Sequence, residues 1–280
     1  MIDQELEYQY NARAAVPGYP AIFEKWAALS ESARGRIPCR LDIPYGAGRR
    51  QNLDLFEGQG RRLHLFLHGG YWQAMDKSFF SFLAEGLARD GMDVAICNYP
   101  LCPDADLGEI LDSVRMAVGF LWEHGGSLGR RWQSLQLSGH SAGGQLAAML
   151  LATDWARLSP GMPPGFIAGA ICISGLYDLD PLRYTTINDK LGLEDTGARL
   201  NSPLFAKPIE TAPMLLVAGS EERPAFHRQM ASFAVTRRSQ GIEVDKLVLE
   251  GLNHFTVVEQ LADPDSPLYR KAKRFFEVRA

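Results

Sequence analysis

The stretch LQLSGHSAGGQLAAMLLAT, residues 135–153, constrains the fold more than any other part of this chain. A short apolar run ends in Gly139-His140-Ser141-Ala142-Gly143, and an alanine- and leucine-rich segment follows at once. The run reads as a strand and the segment after it as a helix, so the chain must turn sharply within a few residues. A serine between two glycines at such a turn adopts strained dihedrals, and its small neighbours let the backbone pass close to itself. The hydroxyl is thereby presented at the tip of a sheet. In a chain with 27 glycines the pattern can arise by chance, and the flanking strand and helix are what give it meaning.

The remainder alternates in the same way. After residues 1–35, CRLDIPYG and QNLDLFEG read as a hairpin joined by AGRR. LHLFLHGG is an apolar strand, SFFSFLAEGLARDG a helix stopped by Gly91, and MDVAICNYP the next strand. LGEILDSVRMAVGFLWEHGG has helical spacing, and SLQLSGHS, IAGAICISG, APMLLVAGS and VDKLVLEGLNH are strands that run into small-residue turns. Helices are expected over Gly143–Thr153, Pro224–Gln240 and Ser266–Val278. Such alternation is the requirement of an α/β fold with a mostly parallel sheet. Only LYDLDPLRYTTINDKLGLEDTGARLNSPLF has weak periodicity, and loops of that length usually carry function. No repeat or linker divides the chain, so 1–280 is expected to be one domain.

Composition excludes several classes. A net charge of −4 without a block of like charge gives no nucleic-acid footprint and no membrane-surface patch. The opening MIDQELEYQYNARA has no apolar core of a leader peptide, and no apolar run approaches the roughly 18 residues of a membrane span. A cytoplasmic protein is expected. Cys39, Cys97, Cys102 and Cys172 lack zinc-ligand spacing, and Cys97 and Cys102, which flank NYPL, are expected to be reduced. Nothing calls for a metal or an organic cofactor.

A serine hydroxyl needs a base to take its proton during attack. His64 lies within a strand, His124 in the last turn of a helix, His140 points away at the elbow, and His227 falls in a helix. His254, in EGLNHF after the final strand, is the candidate base. The base needs a carboxylate to fix its tautomer, and LLVAGSEERPAF offers Glu221 or Glu222. Asp178, in SGLYD, is a further candidate. Backbone N–H groups of Gly70 and Tyr71, in LHGGYW, and of Ala142 are candidates for holding an oxyanion, with His68 bracing that loop. Tyr71, Trp72, Tyr177 and Phe255 are candidates for an aromatic wall around the substrate.

Taken together, HGGYW, GHSAGGQLAA, GSEERPAF and NHF resemble the α/β-hydrolases of the arylformamidase (kynurenine formamidase) type, bacterial esterase-like members included. The N-terminal EYQYNARAAVPGY resembles the opening of the same group, so the likeness runs over nearly the whole chain. The resemblance implies an eight-stranded, mostly parallel sheet with helices on both faces. It also implies that the acid lies four residues before Phe226, which prefers Glu222 over Glu221. A glutamate stands where animal enzymes have aspartate.

The activity implied is hydrolysis of N-formyl-kynurenine to kynurenine and formate. A carboxylesterase acting on small esters is the alternative, and a non-catalytic binding protein of the same fold is the second. Residues 1–35 and 178–207 are expected to form a small cap or lid over the site. The expected partner is a small acyl substrate, with a homodimer as a possible assembly.

Overall fold

The computed structural model describes residues 1–58 and 60–277. Its strands are β1 (Cys39–Pro44), β2 (Asn52–Phe56), β3 (Arg62–Leu67), β4 (Asp93–Cys97), β5 (Ser134–His140), β6 (Ile167–Ile173), β7 (Met214–Gly219) and β8 (Val244–Leu249). They make one sheet in the order β1-β2-β4-β3-β5-β6-β7-β8. The β1–β2 hairpin and the β2–β4 pair are antiparallel, and the remaining pairings are parallel. The eight-stranded, mostly parallel architecture implied by the resemblance is therefore the one observed.

Three helices precede the sheet: α1 (Gln4–Tyr10), α2 (Ala12–Ala15) and α3 (Tyr19–Arg36). Within and after it come α4 (Ala84–Arg89), α5 (Leu107–His124), α6 (Ala142–Leu150) and α7 (Trp155–Leu158). The weakly periodic segment holds α8 (Asn188–Leu191) and α9 (Asp195–Leu200). The last three are α10 (Pro224–Ser239), α11 (Thr256–Glu259) and α12 (Pro267–Glu277).

Successive strand residues face opposite ways, and both faces are buried. Leu63, Leu65, Ala95, Leu135, Leu137, Ala170 and Leu216 pack under α5, α6 and α10. Phe66, Val94, Ile96, Ile171, Ile173, Leu215 and Val217 pack under α3, α4 and α12. This is why the central strands read as continuous apolar runs. α5 starts at a capping box in which Asp106 and Glu109 satisfy each other's backbone N–H groups.

One expectation changes. SFFSFLAEGLARDG is not one helix: 3-10 turns at Lys77–Phe79 and Ser81–Leu83 come before the short α4. The cause is tertiary. Buried Lys77 donates to Asp42 and Asp54 at 2.7 and 2.6 Å, and its own N–H donates to Asn98 Oδ1 at 2.8 Å. These ties hold the chain in a tighter path than helical periodicity predicts. The last helix is described as far as Glu277, and Val278 lies outside the described residues. All four cysteines are free thiols, and burial pushes Cys97 up to about 12 and Cys102 up to about 11. Among the described residues no helix is long and apolar enough to cross a membrane.

Candidate active site

Ser141 caps α6 at φ 56° and ψ −116°, a left-handed conformation that costs a non-glycine residue about 1–3 kcal/mol. The turn is held in place by contacts on both sides. The Ser141 N–H donates to the Ile173 carbonyl at 2.8 Å, and its own carbonyl accepts from Gly144 at 2.9 Å. The flanking glycines have no room for a side chain. A Cβ on Gly139 would lie 2.0 Å from the Gly143 carbonyl oxygen, and one on Gly143 2.0 Å from that of Leu67. The motif is therefore a packing requirement between β5, α6 and the end of β3.

Two strand ends bring the remaining groups to this serine. His254 follows β8 and Glu222 follows β7. The His254 Nε2 lies 3.1 Å from Ser141 Oγ, and its Nδ1 lies 2.7 Å from Glu222 Oε2. With Nδ1–H donating to the carboxylate, Nε2 is left as the acceptor for the serine hydroxyl. All three residues are buried. Burial, the largest single cause, pushes the Glu222 carboxyl up, and the hydrogen bond and charge of His254 oppose it. Donation from Ser174 Oγ and Gly219 N–H, at 2.6 and 2.7 Å, adds to this, and the carboxyl lies below its usual value.

The alternatives for the acid lie elsewhere. Glu221 is exposed. Asp178 accepts from the Asp180 N–H at 3.1 Å, and its own N–H donates to Gln229. Neither reaches the imidazole.

His140 has its own task. Its Nε2 lies 2.7 Å from the His254 carbonyl oxygen, which ties the loop of the candidate base to the strand of the serine. Burial pushes its pKa down to about 3, so it acts as a neutral donor. The Phe226 ring stands 4.6 Å from the His254 ring on the other side. Sequence reasoning left His140 without a partner and missed Ser174 altogether. Only the spatial neighbourhood of β6 and β7 reveals them.

The glycine loop after β3 meets the elbow closely: a Cβ on Gly69 would lie 3.1 Å from the Ser141 Cβ. Gly70, Tyr71 and Trp72 all have positive φ, so the loop coils tightly over the serine. Among the described residues the N–H groups of Gly70, Tyr71 and Ala142 have no acceptor. His68 braces the loop, with Nδ1 2.8 Å from the Gly69 carbonyl, its ring stacked on Tyr99 at 4.3 Å, and its carbonyl accepting from the Tyr99 hydroxyl.

A cavity of about 230 Å³ opens onto Ser141, His140 and His254. That exceeds the roughly 150 Å³ sufficient for benzene. Tyr71 and Phe255 line it, joined by Phe23 and Trp26 of α3 and by Phe80. Trp72 and Tyr177 do not, and the expected wall is corrected accordingly. Trp72 points toward α6, donating Nε1–H to Gln145 at 3.1 Å, and Tyr177 stacks on Phe233 at 4.1 Å within the core. Periodicity cannot tell which side of a coiled loop an aromatic residue faces, so aromatic content alone misassigned both.

Asn11 to Arg13, at α2, and Thr186, Ile187 and Lys190, after β6, also line the cavity, and hydrogen bonds join the two segments. Asp3 N–H donates to the Tyr184 carbonyl at 2.8 Å. The Glu7 carboxylate accepts from Thr186 N–H and Oγ1 at 2.7 and 2.8 Å. Gln73 Nε2 donates to the Ile187 carbonyl at 2.6 Å. Tyr71 adds a further link, its hydroxyl donating to the Tyr10 carbonyl. The Tyr10 hydroxyl in turn accepts from Gln229 of α10 at 3.0 Å.

A strand-to-helix serine, a histidine and a carboxylate on later strand ends, and a glycine loop over the serine are the architecture of an α/β-hydrolase. The chain belongs to that family: the family model described as the alpha/beta hydrolase fold matches residues 64–258. It is 31% identical to the kynurenine formamidase of Danio rerio, over 94% of this chain and 92% of that one. Identity to the kynurenine formamidase of Salmo salar is also 31%, over 84% and 81% of the two chains. A crystal structure from Silicibacter sp. TM1040, provisionally assigned as a thioesterase, superposes with a TM-score of 0.84 at 33% identity, covering 96% of this chain and 98% of that one.

Proposed function

We propose that this chain is an arylformamidase that hydrolyses N-formyl-kynurenine, or a closely related aryl formamide, by covalent catalysis at Ser141. The observation that carries this reading is the hydrogen-bonded chain from Ser141 through His254 to Glu222 at the floor of an aromatic cavity. Identity of 31% to a kynurenine formamidase along almost the full length supports the choice of substrate.

His254 takes the hydroxyl proton as Oγ adds to the formyl carbon. The N–H groups of Gly70, Tyr71 and Ala142 receive the negative oxygen. The imidazolium, stabilised by Glu222, then gives its proton to the departing aryl amine, leaving a formyl ester on Ser141. Water repeats the sequence and releases formate. A formyl group has no side chain, so the acyl side of the cavity can be tight, and the aromatic walls serve the leaving group. One domain, with residues 1–35 and 178–207 as its cap, is the organisation we propose. The same machinery expels alkoxides and thiolates readily, and the Silicibacter relative favours a second reading, a small-ester or thioester hydrolase.

Turnover of N-formyl-kynurenine and p-nitrophenyl acetate by one preparation separates the two. Comparable or higher kcat/KM on the formamide is expected. A negligible formamide rate beside brisk ester cleavage overturns the assignment in favour of the esterase.

A further inference from the structure

The cavity's charge is one-sided. Arg13, in α2, and Lys190, in α8, line it, and its lining contains no aspartate or glutamate. Both cations are exposed, and neither forms an ion pair among the described residues. The Arg13 guanidinium stands 5.5 Å over the Tyr19 ring, which restrains its stem while leaving its N–H groups free. Glu7, whose carboxylate accepts from Thr186 and Asn11, pairs with neither cation. Two cations without an ion-pair partner among the described residues therefore face one cavity in a chain whose net charge is −4. General attraction of anions does not follow from that net charge, and only a local site supplies it.

We propose that Arg13 and Lys190 form an anion subsite, one that holds a carboxylate carried by the leaving group at the end remote from the scissile carbonyl. The placement on the leaving group rests on the formamidase reading, in which the acyl part is too small to carry a charge. The aromatic side chains Phe23, Trp26, Phe80 and Phe255 lie on the same cavity and suit the aryl ring between the two ends. A carboxylate fits the pair because a guanidinium fork donates to two coplanar oxygens, while an ammonium serves as a point charge from any side. The two cations come from separate pieces of the cap, which Glu7 and Thr186 clip together. The subsite consequently exists only when both pieces are docked.

The test is a preference measured within each enzyme. N-formyl-kynurenine is compared with its α-carboxamide, which keeps the ring, the amine and the formyl group but removes the negative charge. In parallel, 3-acetoxybenzoate is compared with 3-acetoxybenzamide. The acid should exceed the amide about tenfold in kcat/KM, mostly through KM, and the preference should shrink as salt rises from about 0.05 to 0.5 M. The double variant Arg13→Gln with Lys190→Gln should bring the ratio close to one, and Arg13→Lys alone should retain most of it. A fluorophosphonate that still labels each variant once per chain shows that the variants are folded. Equal turnover of acid and amide by the native protein in both pairs overturns the subsite, as does a ratio unchanged in the double variant. Cleavage of the acetates with acid preference, but of neither formamide, refutes the formamidase reading and leaves the subsite standing.

Discussion

The floor and the roof of the cavity are built by different physics. The floor consists of Ser141, His254 and Glu222 on neighbouring strand ends. It is fixed by backbone contacts with no spare space and by hydrogen bonds whose members are all buried. The roof, on the proposed cap, takes in α1, α2 and the segment after β6, and its clips join the half-buried Glu7 to the exposed Thr186. Buried, fully satisfied polar groups are costly to disturb, whereas exposed hydrogen bonds compete with water and contribute little each. On the proposed reading, the chemistry belongs to the sheet and the choice of substrate to the cap.

Substitutions can break or sharpen that division. Ser141→Ala is expected to lower kcat by about 10⁶, and adding His254→Ala to it should cost almost nothing further, because the groups act as a unit. Loss of fluorophosphonate labelling in Ser141→Ala checks the same point. Glu222→Gln should cost about 10³–10⁴ in kcat, with Glu221→Gln close to the native rate; the reverse result would move the acid by one residue. Glu222→Gln also has a signature in stability. The native carboxyl lies below the ordinary glutamate value of 4.5, so its contribution is complete above that pH and disappears as pH falls through the lowered value. The native lead in urea midpoint over the variant should therefore be full at neutral pH and narrow in acid.

Tyr71 sits at the seam. Tyr71→Phe keeps the ring and the backbone but abandons the Tyr10 carbonyl, so kcat should fall about tenfold with KM within twofold. A smaller effect is expected at Glu7→Gln, which weakens the clip to Thr186 and should raise KM two- to fivefold with kcat little changed. If Glu7→Gln matched Glu222→Gln in kcat, the separation of floor from roof would collapse.

The sheet was legible because its central strands, buried on both faces, print continuous apolar runs into the chain, and each ends in small residues. Ser141 and His254 were legible through the elbow and the final strand end. Glu222 was distinguishable from Glu221 only through the resemblance, since two adjacent turn residues look alike until one of them turns inward. What escaped notice depends on contacts distant in the chain. Lys77 reaching Asp42 and Asp54 overrides local helical spacing, and the dihedrals of Tyr71 and Trp72 send neighbouring aromatic rings to different places. The link from Glu7 to Thr186 joins segments with no shared pattern, and neither sequence alone announces it.

The position of His254 after β8, the last strand to be made, has a consequence during synthesis. Until that edge strand has joined β7, Ser141 has no imidazole within reach, whatever the state of the earlier units. On the proposed mechanism, a polypeptide that has not yet added β8 is therefore expected to be catalytically silent, with turnover beginning only once that strand has taken its place.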